Sequence, residues 1–408
     1  MEHAVIARMR APAAAGNAGT RSARAFWLVA FALAVAIMGN NAPSPIYPIF
    51  QQRFGLSTGE VTLVFAAVVV GVIPSLLVLG PASDRVGRRP LLALALTTAV
   101  LGAGTFTLAE GLGSLLVARA LQGLSFGALS GTAVAALVEL EPSGDHARAT
   151  IVATVTVVSS QAIAPLLAGL LAQYAPDPAR LTFFGLCALL IAALAGLALV
   201  PETVAPEERG RTRTDRSAGV PREIRAPFLV ACVAVAASFG ALGLVAALGP
   251  KFVATLLGVH NLAVGGAVVF AMLAASASAQ LAARRWPSRA LLLRGALFLG
   301  CGLALMLLGV AAGSLAPFLI GITIAGVGQG LTYLGAQALL DTVIPAELRG
   351  GVMSAFFLIL YLAAALSALA VGLSSGALGL LTATMIVSAA LIALTALSGA
   401  LTAARLGG

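Results

Sequence analysis

Charge is scarce in this chain. Only 10% of its 408 residues are charged, whereas soluble domains carry about a quarter. Sixty per cent are hydrophobic, and the mean hydropathy is +1.03. No soluble core hides that much apolar surface, so a soluble α/β enzyme is excluded and the bilayer must act as solvent for most of the chain. Cysteine is scarce too. Cys187, Cys232 and Cys301 all fall in apolar stretches, which speaks against a disulfide framework or a metal site and leaves packing as their role. The three histidines, His3, His146 and His260, fall in the N-terminal tail or in loops. The apolar segments therefore contain no imidazole for catalysis. No Walker-type phosphate loop is present, so ATP is not expected as a direct energy source.

What is abundant is long apolar runs. A spanning helix needs about 20 such residues. Twelve segments qualify: 26–50, 59–80, 91–110, 113–138, 148–172, 180–201, 226–249, 262–283, 290–311, 315–339, 350–373 and 377–401. The short alternating strands of a membrane β-barrel are not seen. The first run follows a basic start, like a signal peptide. It continues through Pro43, Pro45 and Pro48 without a small-residue cleavage site, so it reads as a retained helix. With the N-terminus inside, 20 basic residues fall on cytoplasmic segments and three, Arg53, Arg180 and Lys251, fall outside. Arg119 lies within a segment. That split predicts an inner (plasma) membrane protein with both termini cytoplasmic. The net charge of +9 then reflects topology, with no nucleic-acid partner implied.

The polar stretch from Pro201 to Pro227 divides the segments six and six. The expected organisation is a cytoplasmic tail (1–25), a six-helix bundle (26–201), a cytoplasmic linker (202–225), a second bundle (226–401) and a short tail (402–408). "RALQGLSFGALSG" from Arg119 echoes "GVGQGLTYLGAQ" from Gly326, pairing Gln122 with Gln329. The expected fold class is therefore all-α: twelve transmembrane helices in two pseudo-symmetric six-helix bundles, a recurrent transporter design.

Between the second and third segments runs Gly80-Pro-Ala-Ser-Asp84-Arg85-Val-Gly87-Arg88-Arg89. A positive-inside loop explains the arginines but not Asp84 or the glycines. The pattern G-x-x-x-D-R-x-G-R-R resembles the signature loop of the major facilitator superfamily. Gly87 permits a tight turn, and Asp84 suits a helix N-terminus, where negative charge is favoured. The resemblance implies that this helix is the eleventh, starting near Gly350 and Gly351, so that the loop latches the cytoplasmic face. Arg88 or Arg89 is placed to pair with Glu139 or Glu141.

The fourth segment carries Arg119, Gln122 and Gly123, which resemble the family's R-x-x-Q-G motif; in similar antiporters the arginine assists proton transfer. An arginine roughly 10 Å into a span is costly, and a functional role is expected. Gly123, Gly127 and Gly131 are spaced for close approach of a neighbouring helix. In the fifth segment, Ser160, Ala164, Pro165, Ala168 and Gly169 resemble the helix-5 motif of the drug:proton antiporter branch, with Ser or Ala at most of its glycines. In the first segment, Asn40, Asn41, Ser44 and Tyr47 surround a proline-rich break and are candidate cavity residues, as are Gln161, Gln329, Tyr333, Gln337 and Tyr361. Glu60 reads as the third residue of a capping box begun by Ser57. All fifteen carboxylates map to loops or helix ends, so no mid-membrane acid marks a proton site.

The resemblance implies a secondary transporter that exports a small lipophilic compound or drug by proton antiport and alternating access. The alternative is an uptake or facilitative carrier for a small metabolite. A membrane-embedded enzyme and a non-transporting sensor are weaker rivals. The expected partners are a small-molecule substrate, protons and the lipid bilayer, around a monomer. No catalytic residue, metal or cofactor is expected.

Overall fold

The computed structural model describes residues 11–79, 86–204, 221–345 and 348–405, with side chains from residue 23 onward. Twelve of its helices are long and apolar enough to cross a membrane: α1 (Ala23–Phe54), α2 (Thr58–Leu79), α3 (Arg88–Thr107), α4 (Leu112–Leu140), α5 (His146–Tyr174), α6 (Pro178–Leu199), α7 (Arg222–Thr255), α8 (Leu262–Ala283), α9 (Ser288–Ala311), α10 (Leu315–Val343), α11 (Arg349–Leu378) and α12 (Leu380–Arg405). Among the described residues there is no strand. The all-helical expectation holds, with 16 of the 24 segment ends one to six residues longer than expected, four unchanged and four one to three residues shorter. The helix that continues into α1 begins at Ala11, in an alanine-rich stretch.

Local sequence sets the ends. Gly55 closes α1 in the left-handed region at φ +64°, donating its N–H to Gln51. Ser57 and Glu60 then form the expected capping box at the start of α2. Asp145 and Asn261 cap α5 and α8 with their side-chain oxygens.

The halves repeat one packing plan. In the first, α4 packs against α1, α2 and α3, while α6 packs against α1 and α3; in the second, α10 packs against α7, α8 and α9, while α12 packs against α7 and α9. The α5–α8 and α2–α11 pairs join the halves. Small residues set the close crossings. A Cβ on Gly123 would collide with the Val68 carbonyl, and one on Gly71 with that of Ala120. In the second half, Gly330 lies likewise against the Ser276 carbonyl and Gly326 against that of Met272. Gly127 presses on Ser75, as its spacing suggests. Gly131 does not take part, since nothing lies within 4 Å of its would-be Cβ.

Candidate transport pathway and gates

The ends of α2, α4, α6, α8 and α10 together are called here the arginine-rich face, and the ends of α1, α3, α5, α7, α9 and α11 the arginine-poor face.

At the arginine-rich face, Gly80, Asp84 and Arg85 lie outside the described residues. The rest of the motif is a tight cluster. Gly87 has φ +110°, and a Cβ there would collide with the Glu202 carboxylate. The positive φ is what favours glycine here, since the Glu202 carboxylate is the end of a flexible side chain and could shift away from a Cβ. That carboxylate accepts the N–H groups of Arg88 (2.9 Å) and Arg89 (3.2 Å), donors that a helix start leaves outside its own ladder. It also accepts from the N–H groups of Thr203 and Val204. Arg88 donates to Glu139 at 3.1 Å, Thr203 Oγ1 donates to the same carboxylate, and Arg89 reaches the Ala198 carbonyl. Glu141 does not join them. It is buried in the α4–α5 turn, accepting from Ser143, the Asp145 N–H and Arg148 (3.0 Å). Burial pushes its pKa up. The hydrogen bonds of Ser143 and Asp145 and the Arg148 charge outweigh burial and hold it below the usual carboxylate value. Glu202 was read as part of a solvated linker. The signal missed is a carboxylate placed directly after an apolar span, on the side where the loop 2–3 arginines lie. Among the described residues, the ion pairs Arg88–Glu139, Arg148–Glu141 and Arg349–Asp341 each stay within one half.

Deeper in the first half, the proline-rich break separates the helix ending at Asn41 from a 3-10 turn, Ser44–Ile46, and a helix from Tyr47. Pro43 has no N–H to offer the Gly39 carbonyl four residues earlier. Gln122 supplies the missing donor at 2.8 Å, and Arg119 donates to the Asn40 carbonyl at 3.0 Å and to Gln122 Oε1 at 2.9 Å. The R-x-x-Q pair of α4 thus satisfies two carbonyls at the break in α1, one of which loses its helical donor to Pro43. Asn41 bonds back to Ile37, and Tyr47 is buried. In the second half, Gln329 accepts from Ser276 and Gln337 donates to Tyr333, which packs edge-on to Phe239. Gln161 is half-buried on α5. Near mid-span, Phe126 of α4 meets Tyr361 of α11 edge-on, with ring centres 5.9 Å apart.

The arginine-poor face joins the halves. Gly169 and Pro165 of α5 meet Gly266 of α8; a Cβ on Gly169 would lie 2.9 Å from Gly266 Cα, and one on Gly266 would collide with the Pro165 carbonyl. The helix-5 motif therefore sits at a crossing between the halves. Gly372 of α11 lies against Thr62 of α2. Gln173 accepts the Leu262 N–H at 2.8 Å, and Lys251 of α7 donates to Thr58 Oγ1 and Gln51 Oε1 across the same divide. Sequence reasoning gave Lys251 only a topological role. A lone cation at a span end was its one signal.

Two pseudo-symmetric six-helix bundles that meet along close helix crossings are an architecture of membrane transporters. The chain belongs to the Major Facilitator Superfamily, whose family model matches residues 29–368. It is a multi-pass membrane transporter and not an enzyme. It is 27% identical over 187 residues to the "Multidrug efflux protein YfmO" of Bacillus subtilis (strain 168), covering 46% of each chain. It is 33% identical over 93 residues to a "D-xylose transporter" of Levilactobacillus brevis, covering 23% of this chain and 20% of that one. The chain thus spans less than half the length of these relatives in the matched stretches. Among solved structures, a bacterial homolog of the human lysosomal transporter Spinster, in an inward-facing and unoccupied conformation, superposes with a TM-score of 0.74. That match has 16% identity and covers 95% of this chain and 98% of that one. A point mutant of the nucleoside transporter NupG gives 0.72 at 9% identity, covering 93% and 99%. At such identities these structures establish the fold.

Proposed function

We propose that this transporter exports a small lipophilic compound by alternating access in exchange for protons, as a monomer in the inner (plasma) membrane, with the arginine-rich face and both termini in the cytoplasm. The observation that carries the reading is where the halves meet. Lys251, Gln173 and the Gly169–Gly266 and Thr62–Gly372 contacts close the arginine-poor face. A carrier sealed outside is poised to load from the cytoplasm, the first step of export. The apolar spans favour a lipophilic cargo, and the similarity to a multidrug efflux protein supports the direction. In this reading loop 2–3, with Asp84, Arg88 and Glu139, closes the cytoplasmic face in the alternate state, while Arg119 and Gln122 serve coupling. Uptake of a polar metabolite is the second reading, favoured by the match to a D-xylose transporter.

The test is resistance and accumulation in a bacterial host stripped of its own exporters. Wild type is compared with Asp84→Asn at equal membrane expression, against lipophilic cations, dyes and antibiotics, with and without an uncoupler. Export by proton exchange predicts protection that both the substitution and the uncoupler abolish. No protection against any compound refutes it in favour of a metabolite carrier, to be followed by uptake into proteoliposomes.

A further inference from the structure

Among the described residues the guanidinium of Arg119 has only neutral partners. It donates to the carbonyls of Asn40 (3.0 Å) and Phe65 (3.4 Å) and to Gln122 Oε1 (2.9 Å), and lies over the Phe65 ring at 5.8 Å. The residue is 3% exposed, and among the described residues it forms no ion pair. A cation held in a membrane interior without a counter-charge is strongly disfavoured. Three polar atoms, Arg119 Nε, Tyr47 Oη and Asn40 Oδ1, are buried without a hydrogen-bond partner, and Asn40 already meets the guanidinium through its carbonyl. Tyr47 is itself only 3% exposed and lies within electrostatic reach of the guanidinium. Turning over the Asn40 amide keeps its shape and presents a third donor.

We propose that Arg119, Tyr47 and Asn40 form a binding site for a small monoanionic group, either a carboxylate on the transported compound or chloride. A water molecule would satisfy the open donors but not the charge. An anion does both, through the Nε–H, the phenol O–H and the amide. The proline break of α1 makes the site possible. It fixes the Asn40 carbonyl on the guanidinium and so holds the Nε edge in place. The inference goes beyond the export reading, because it concerns what binds and is measured without flux.

The test uses the purified full chain in nanodiscs of zwitterionic lipid. The thermal unfolding midpoint is titrated with sodium chloride and, separately, with sodium benzoate. Wild type is compared in the same salts with Gln122→Glu, which puts a carboxylate where Oε1 now lies 2.9 Å from the guanidinium. The site predicts a saturable rise in midpoint for wild type and its loss in Gln122→Glu, whose carboxylate supplies the counter-charge internally but gives up the Nε2 donor to the Gly39 carbonyl, so its midpoint in salt-free buffer is measured first to establish that it folds. Tyr47→Phe should weaken the apparent affinity about tenfold, the effect of one hydrogen bond to a charged group. Saturation by chloride but not benzoate identifies chloride as the occupant; saturation by benzoate identifies a carboxylate. Saturation by neither salt, or the same response in Gln122→Glu as in wild type, overturns the proposal. Failure here would leave the export reading intact, since that reading stands or falls in the resistance assay.

Discussion

The α5–α8 crossing offers a direct test of how the halves are held. Gly266 has no room for a side chain: a Cβ would collide with the Pro165 carbonyl and lie 3.0 Å from Gly169 Cα. Both neighbours are backbone, so neither can rotate away. Gly266→Ala must push α8 from α5 at the arginine-poor face. Overpacking of this kind costs about 1–3 kcal/mol. The cost falls only on the conformer in which the two helices touch there. Alanine's better helix propensity acts on both conformers and cancels. The equilibrium should therefore move about 5- to 150-fold toward the conformer open at that face. The shift can be read by pulsed electron spin resonance with labels at Tyr174, at the end of α5, and Leu378, at the end of α11. Both are well exposed, at 72% and 48%. Cys187, Cys232 and Cys301 are free thiols and are first replaced by serine. A new long-distance population is expected in Gly266→Ala. A smaller one is expected in Lys251→Ala, which removes hydrogen bonds to Gln51 and Thr58 from a half-exposed site. Wild-type distance distributions in a folded Gly266→Ala protein would refute the claim that this contact seals the face.

Two further outcomes concern the arginine-rich face. Glu202→Ala removes the acceptor of the first α3 N–H groups, and by analogy with other helix caps should lower stability by about 1 kcal/mol; an unchanged thermal midpoint would contradict the capping role. Glu141, whose pKa is held below its ordinary value, contributes stability that is complete above the unfolded-state pKa of about 4.3 and is lost as pH falls through the lower folded value. The unfolding midpoint of wild type should therefore fall in that acidic range, and Glu141→Gln should flatten that part of the profile.

Much of this protein is written along the chain. Twelve runs of apolar residues, each long enough to cross a bilayer, determine twelve helices, because lipid leaves the backbone no other partner than itself. Ser57 and Glu60 specify a helix start within four residues, and Pro43 specifies where α1 must break. Gly123 announces a close crossing. Such features need only neighbours in sequence or the solvent. Other features depend on which helix lies opposite. Gly131 has the same spacing as Gly123 and Gly127, yet it faces open space where they face α2. Glu139 and Glu141 are two residues apart, but only the first turns toward Arg88, because it lies in the last turn of α4 while Glu141 has left the helix in extended conformation and turns into the α4–α5 turn. Glu202 caps a helix that begins 114 residues earlier, and Lys251 bridges to Thr58 over 193. Arg119 looked like a lone charge in a span, and its role as donor to the broken backbone of α1 came only from the packing of α4 on α1. Composition and local pattern determined the helices and their ends. Tertiary structure decided which polar groups meet, since contact between residues far apart in sequence depends on how the helices turn and cross.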